Sequence, residues 1–161
     1  MTMSRIVLTV LFAWFAIAPA LCAEPLVHNA LLLAARKALP EEISASDIGR
    51  GLSAGLWNPN GTAVAASFAR PKSSLIFAFL RQPDGNFLAV DVSRVEGANL
   101  GKLGTAGRAG FERCETMPVK WLPRDDGLFQ VVMRTRAWKA GQRHTASEPL
   151  VVKPDGTPVW R

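Results

Sequence analysis

The chain has 161 residues, of which 48% are hydrophobic and 20% charged, with 19 Lys plus Arg, 13 Asp plus Glu and two Cys. This length fits one domain and is too short for a barrel enzyme or a two-domain dehydrogenase. The hydrophobic share excludes wholesale disorder, and two Cys exclude a disulfide-rich scaffold or a CxxC redox site.

Arg5 is the only charge before Glu24. Ile6 to Ala18 is an apolar run, followed by Pro19 and the small residues around Ala20 and Ala23. These are the charged, apolar and cleavage regions of a secretory signal. The expected organisation is a leader over 1–23 and one exported β-rich domain over 24–161. The apolar run rises about 20 Å as a helix, short of the roughly 30 Å hydrocarbon core, and no later stretch is suited to span. Cleavage fits after Ala20 or after Ala23. The first keeps Cys22, free to pair with Cys114 in an oxidising compartment; the second leaves Cys114 alone. Lipid attachment at Cys22 is a weaker alternative, because Leu21 precedes it. The expected location is periplasmic or secreted. The Arg-, Ala- and Gly-rich texture without Tyr points to a GC-rich Gram-negative source.

Loss of Arg5 lowers the formal charge from +6 to +5. A basic surface favours acidic partners, anionic lipid headgroups or polyanionic wall polymers. The cations are spread singly, so nucleic-acid binding is not expected.

Leu26 to Leu39 carries a helical apolar stripe that includes Val27, Leu31, Ala34 and Ala38, with His28 beside it as a packing residue. Pro40 ends it. Residues 40–61 read as irregular, with Ser46 capping a short turn. From Thr62 the period changes to two. Val64, Ala66 and Phe68 alternate, then Leu75, Phe77 and Phe79, then Phe87 to Val92, separated by turns at 71–74 and 82–85. Gly97, Gly101, Gly104, Gly107 and Gly110 mark a glycine-rich surface loop over 93–110. A second meander follows: Glu115 to Leu122, with Pro118 predicting an edge or bulge; Leu128 to Trp138; Gln142 to Val152, with a possible break at Pro149; and Pro158 to Arg161. The expected fold is mostly β, built of antiparallel meanders as a sandwich or partly open barrel, with one N-terminal helix; an α+β arrangement stays open. The similar turns QPDGNF and KPDGTP read as hairpin chemistry and not as a repeat.

The chemical motifs are weak. Gly51-Leu52-Ser53-Ala54-Gly55 matches a hydrolase elbow, with His144 downstream, but no strand precedes it. The glycine loops lack nucleotide-binding spacing. His28 and His144 have no metal-ligand neighbours at useful spacing, so no metal and no cofactor are expected. Asp125-Asp126 belongs to a turn.

Binding residues are the better candidates. In the long hairpin, Arg134, Arg136 and Trp138 share one face, and Arg143 and His144 lie across from them; Arg and Trp dominate interface energetics. Arg94, Lys102 and Arg108 on the glycine loop form a second candidate, a basic rim. The texture resembles small exported β-rich proteins, among them periplasmic inhibitors of cell-wall hydrolases, envelope assembly factors and solute-capturing modules, at the level of class alone. The expected function is therefore an exported, non-enzymatic binding protein for a protein partner or an anionic envelope polymer. The alternatives are a small hydrolase using Ser53 with His144, and a structural subunit of an envelope complex.

Overall fold

A computed structural model describes residues 18–38, 43–105 and 107–160, with side chains described from His28 onward except at Ala45. The leader's apolar run therefore lies almost wholly outside the described residues. No helix among the described residues is long and apolar enough to cross a membrane.

Three helices and eight strands are described: α1 (Ala18–Ala38), α2 (Ala45–Ser53), β1 (Leu56–Trp57), β2 (Ala63–Ala69), β3 (Ser74–Arg81), β4 (Phe87–Val90), α3 (Val95–Lys102), β5 (Arg113–Leu122), β6 (Phe129–Lys139), β7 (Gln142–Val152) and β8 (Pro158–Val159). The strands form two four-stranded antiparallel meanders, β1-β2-β3-β4 (sheet A) and β5-β6-β7-β8 (sheet B). The mostly β expectation holds.

Sheet A is the middle layer. One face, with Val64, Ala66, Phe77 and Phe79, packs under Leu31 and Ala35 of α1 and Ile48 and Leu52 of α2. Its other face, with Ala63, Ala65, Ala78 and Leu80, meets Val131, Met133, Leu150 and Val152 of sheet B. This explains why β2 is buried at four successive positions and does not alternate. Each large side chain taken fully out of water here contributes roughly 1.5–3 kcal/mol. Sheet B shows the alternation expected of a sheet with one packed face: Val131, Met133, Thr135 and Ala137 of β6 are buried, and the residues between them are half-exposed.

Four expectations change. Residues 45–53 form a helix, capped by Ser44, whose hydroxyl accepts from the Asp47 N–H. His28 is exposed and does not pack. β7 continues unbroken through Pro149. The glycine-rich segment contains α3, whose Val95, Asn99 and Leu100 are buried. Glycine disfavours helix by about 1 kcal/mol per residue, and docking overrides it. The side-chain amide of Asn99 donates to the Met133 carbonyl (3.2 Å) and to Thr135 Oγ1 (2.9 Å), and Thr135 shares a 2.8 Å bond with Thr116. The expectation at Pro118 holds in both forms: β5 is an edge strand and its register shifts between Pro118 and Lys120.

The two meanders are also built alike. A row Trp57–Val64–Phe79 crosses sheet A, and Trp121–Val131–Leu150 crosses sheet B in the same register. Each Trp begins a Trp-x-Pro segment leading into the first hairpin turn. The third hairpins match bond for bond. Gly85 N–H donates to Gln82 O (2.9 Å) and Asn86 N–H to Asp84 Oδ1 (2.9 Å); Gly156 N–H donates to Lys153 O (2.9 Å) and Thr157 N–H to Asp155 Oδ1 (2.9 Å). The recurring Pro-Asp-Gly turns thus occupy equivalent places in two helix-plus-four-strand units.

Candidate functional site

The face of sheet B turned away from sheet A is open over Arg134, Arg136 and Trp138, which are half-exposed; towards its other end Val151 is buried and Arg124 donates to Gln130. Strand alternation decides who points there. On β6 these are Gln130, Val132, Arg134, Arg136 and Trp138, because the residues between them are buried. Pairing then assigns the neighbours. Met117 lies opposite Arg134, Glu115 opposite Arg136, Arg113 opposite Trp138 and Lys120 opposite Val132. On the other side, Ser147 faces Arg134, Thr145 faces Arg136 and Arg143 faces Trp138.

The face therefore gathers Arg113, Lys120, Arg134, Arg136 and Arg143, with Glu115 as its one described carboxylate. Glu115 is engaged by Arg113 in an ion pair. The Arg113 guanidinium also lies over the Trp138 ring, 5.3 Å from its centroid, a cation–π contact that ties the two side chains together. Lys120, Arg134, Arg136 and Arg143 form no ion pair with described residues. Their charges have no ion-pair partner among the described residues and are spaced by the strand repeat, about 7 Å along a strand and 5 Å across it. Val132, Pro149 and Met117 supply apolar ground between them. Such a surface concentrates positive potential without a metal or cofactor, and suits an extended, negatively charged partner.

The structure thus brings together Arg134, Arg136, Trp138 and Arg143, as alternation predicts. It does not bring His144 with them. His144 pairs with Ala137 on the opposite row, its ring edge-on to Phe111 at 6.2 Å. Arg113 and Lys120 are functional candidates that the sequence reading missed. Arg113 precedes the expected strand start, whereas alternation against Trp121 places Lys120 on the outer face, and the bulge after Pro118 is what brings Met117 there too.

The proposed basic rim of Arg94, Lys102 and Arg108 is not assembled. Arg94 is exposed at the N-terminal end of α3 and makes no capping bond. Lys102 is paired with Glu148 and donates to the Ser147 carbonyl (3.3 Å). Arg108 grips Glu96, one nitrogen donating at 3.0 Å to Oε2, and this bond raises the guanidinium pKa further. These two cations clamp α3 and its following loop to sheet B and are already neutralised. Cys114 is buried beneath this clamp, and burial pushes its thiol pKa up, with Glu96 adding to the effect. Cys114 makes no disulfide with any described side chain; that of Cys22 lies outside the description.

Ser53 closes α2, and its hydroxyl donates to the Gly49 carbonyl (2.8 Å). The G-x-S-x-G segment therefore straddles the C-terminal end of a helix and is not a strand-to-helix elbow. α2 lies on the far side of sheet A from sheet B, so Ser53 and His144 occupy different layers. An open cleft between the two Trp-x-Pro turns is lined by Asn58, Asn60, Trp121 and Arg124 among others. Two of its polar groups are spent internally: Asn58 Oδ1 accepts from the Thr62 and Ala63 N–H groups, and Arg124 holds Asp126 and Gln130. A scan against family models and searches of characterised proteins and solved structures return no match to this chain.

Proposed function

We propose that this chain is a non-enzymatic binding protein, exported to the periplasm or beyond, that takes an acidic protein partner on the outer face of sheet B. The observation that carries the reading is the set Arg134, Arg136, Arg143 and Lys120, without ion-pair partners among the described residues, on one open face beside the braced Trp138. Arg and Trp are the side chains that most often dominate interface energetics. Rigid strands limit the ordering cost of association. Capping the partner's active site and recruiting it into an envelope assembly would use the same face.

The test is capture from envelope and secreted extracts at two salt concentrations, comparing the wild-type chain with the Arg134→Glu/Arg136→Glu variant. A partner retained at high salt by the wild type and lost by the variant supports the reading. Equal capture by both proteins, with the variant folded, overturns it. Ser53→Ala serves as the control on the far side of the molecule and is expected to capture like the wild type.

A further inference from the structure

Sheet B has an incompletely closed edge next to the basic face. β8 pairs with β7 only at Val151 and Val152. The rest of β7, from Gln142 to Leu150, has β6 on one side and, among the described residues, no strand on the other; α3 packs against β7, its Lys102 reaching Ser147 and Glu148.

The direction of its backbone groups follows from bonds at both sides of the sheet. The Lys153 N–H donates to Thr157 O across the β7–β8 turn (2.9 Å), so the odd-numbered residues of this strand aim away from β6. On β5, Cys114 N–H donates to Lys72 O (3.1 Å) and Thr116 N–H to Ser74 Oγ (2.6 Å), both away from β6. Alternation across the three strands then again turns the odd residues of β7 outward. Arg143, Thr145 and Ser147 therefore present N–H and C=O groups to the open edge.

Natural sheets protect such edges. Here the protection is uneven. Pro149 has no N–H to offer, and Lys102 occupies the Ser147 carbonyl. The Ser147 N–H and both backbone groups of Arg143 and Thr145 make no bond within the described residues. Arg143 and Thr145 are exposed. The unguarded stretch is thus the part of the edge that adjoins Arg136 and Arg143.

We propose that the edge of β7 at residues 143–147 accepts an extended, acidic segment of a partner protein as an added antiparallel or parallel strand. This deepens the proposed function and rests on it. The main chain of the segment would bond Arg143, Thr145 and the Ser147 N–H. Its alternate side chains would lie on the outer face, where Asp or Glu would meet Arg143 and Arg136. Charge selects the occupant. A second copy of this chain would bring the same Arg143-bearing edge against itself, whereas an acidic segment relieves the repulsion. Strand addition takes affinity from the backbone and specificity from alternate side chains.

The test uses the full chain and two synthetic peptides of equal charge: an alternating Glu-Val octapeptide, and the same peptide with its central Val residues replaced by Pro. Amide hydrogen exchange and chemical shifts are followed residue by residue. Expected is slowed exchange at Arg143, Thr145 and Ser147 with the alternating peptide, and none with the Pro-containing one. Thr145→Pro, which removes one outward N–H and no charge, should weaken binding about tenfold, the equivalent of one strong backbone bond. Shifts at Arg134 and Arg136 with both peptides, without amide protection, overturn strand addition and leave the basic face standing. No shift anywhere with either peptide overturns both. The wild-type exchange pattern decides the matter even where Thr145→Pro fails to fold.

Discussion

Gly85 and Gly156 hold equivalent turn positions, at φ +86° and +81°, and their replacement by Ala separates backbone strain from packing. An L-residue in this region costs about 1–2 kcal/mol, and Ala recovers about 0.4–1 kcal/mol by restricting the unfolded chain. At Gly85 an added Cβ meets no atom within 4 Å, so Gly85→Ala should destabilise by about 1 kcal/mol through strain alone. At Gly156 the same Cβ falls 2.8 Å from Leu88 Cδ2 and 3.2 Å from its Cγ. Leu88 belongs to β4 of the first unit and is 37% exposed, so it can swing aside at the cost of its contact. That adds about 1 kcal/mol, at the low end for overpacking, and gives about 2 kcal/mol for Gly156→Ala. Urea unfolding of the two variants measures the difference. Combining each with Leu88→Ala completes the cycle: the extra cost at Gly156 should vanish, and the cost at Gly85 should stand. Equal losses at the two glycines, or a difference that survives Leu88→Ala, would refute the reasoning.

Further outcomes are expected. Asn99→Ala removes the amide that ties α3 to Met133 and Thr135, and should cost about 2–3 kcal/mol with faster amide exchange across Val95–Lys102. Ala140 sits at φ +50° beside Gly141 at +74° in the two-residue β6–β7 turn, so Ala140→Asn should stabilise by about 0.5–1 kcal/mol, seen as a higher denaturation midpoint. The hydrogen bond from Arg124 lowers the Asp126 pKa from 3.8 to about 2. A depressed carboxylate favours the fold above its unfolded pKa, and that contribution is lost as pH falls through the folded value. Asp126→Asn should therefore flatten the stability profile between about pH 4 and pH 2, measured by thermal melts, and leave the neutral-pH profile level.

The strands were legible because their turns are chemically marked. Asn58-Pro59-Asn60-Gly61, Gln82-Pro83-Asp84-Gly85 and Lys139-Ala140-Gly141 each require turn backbone, and apolar alternation fills the space between them. α2 is legible in principle: Ser44, with Asp47 three residues on, is a helix-start pattern, and the cap sits there and not at Ser46. α3 was not. Gly97 and Gly101 argue against helix, and only the docking of Val95, Asn99 and Leu100 on sheet B makes it one. In the site, alternation alone places Arg134, Arg136 and Trp138 together, and it also separates Arg143 from His144, since successive strand residues point to opposite faces. The likeness of the two meanders, which the sequence reading took as hairpin chemistry alone, is hard to see in the chain because they share turns and register but not core residues: Phe79 corresponds to Leu150, and Phe77 to Glu148, which pairs with Lys102.

That correspondence also explains why one sheet face is covered and its counterpart is not. In sheet A the face opposite the helices carries the pairs Ala63–Leu80, Ala65–Ala78, Ser67–Ile76 and Ala69–Ser74. By register, their counterparts in sheet B are Gln130–Val151, Val132–Pro149, Arg134–Ser147 and Arg136–Thr145. Small side chains on sheet A let a second sheet approach to the usual spacing of about 10 Å. Ser74 reinforces the approach, its hydroxyl donating to the Thr116 carbonyl at 2.8 Å. On sheet B, Arg134 and Arg136 stand where Ser67 and Ala69 stand on sheet A. Two guanidinium groups on long stems hold off a third packed layer, because burying them unpaired would cost several kcal/mol each. Among the described residues the stack of helix and sheet therefore ends at sheet B, with Arg134 and Arg136 half-exposed on its last face. Under the proposed function, a partner that brings carboxylates would remove that penalty and approach where a further sheet of this chain could not, so the arginines that stop the stack from growing would also be the ones that bind.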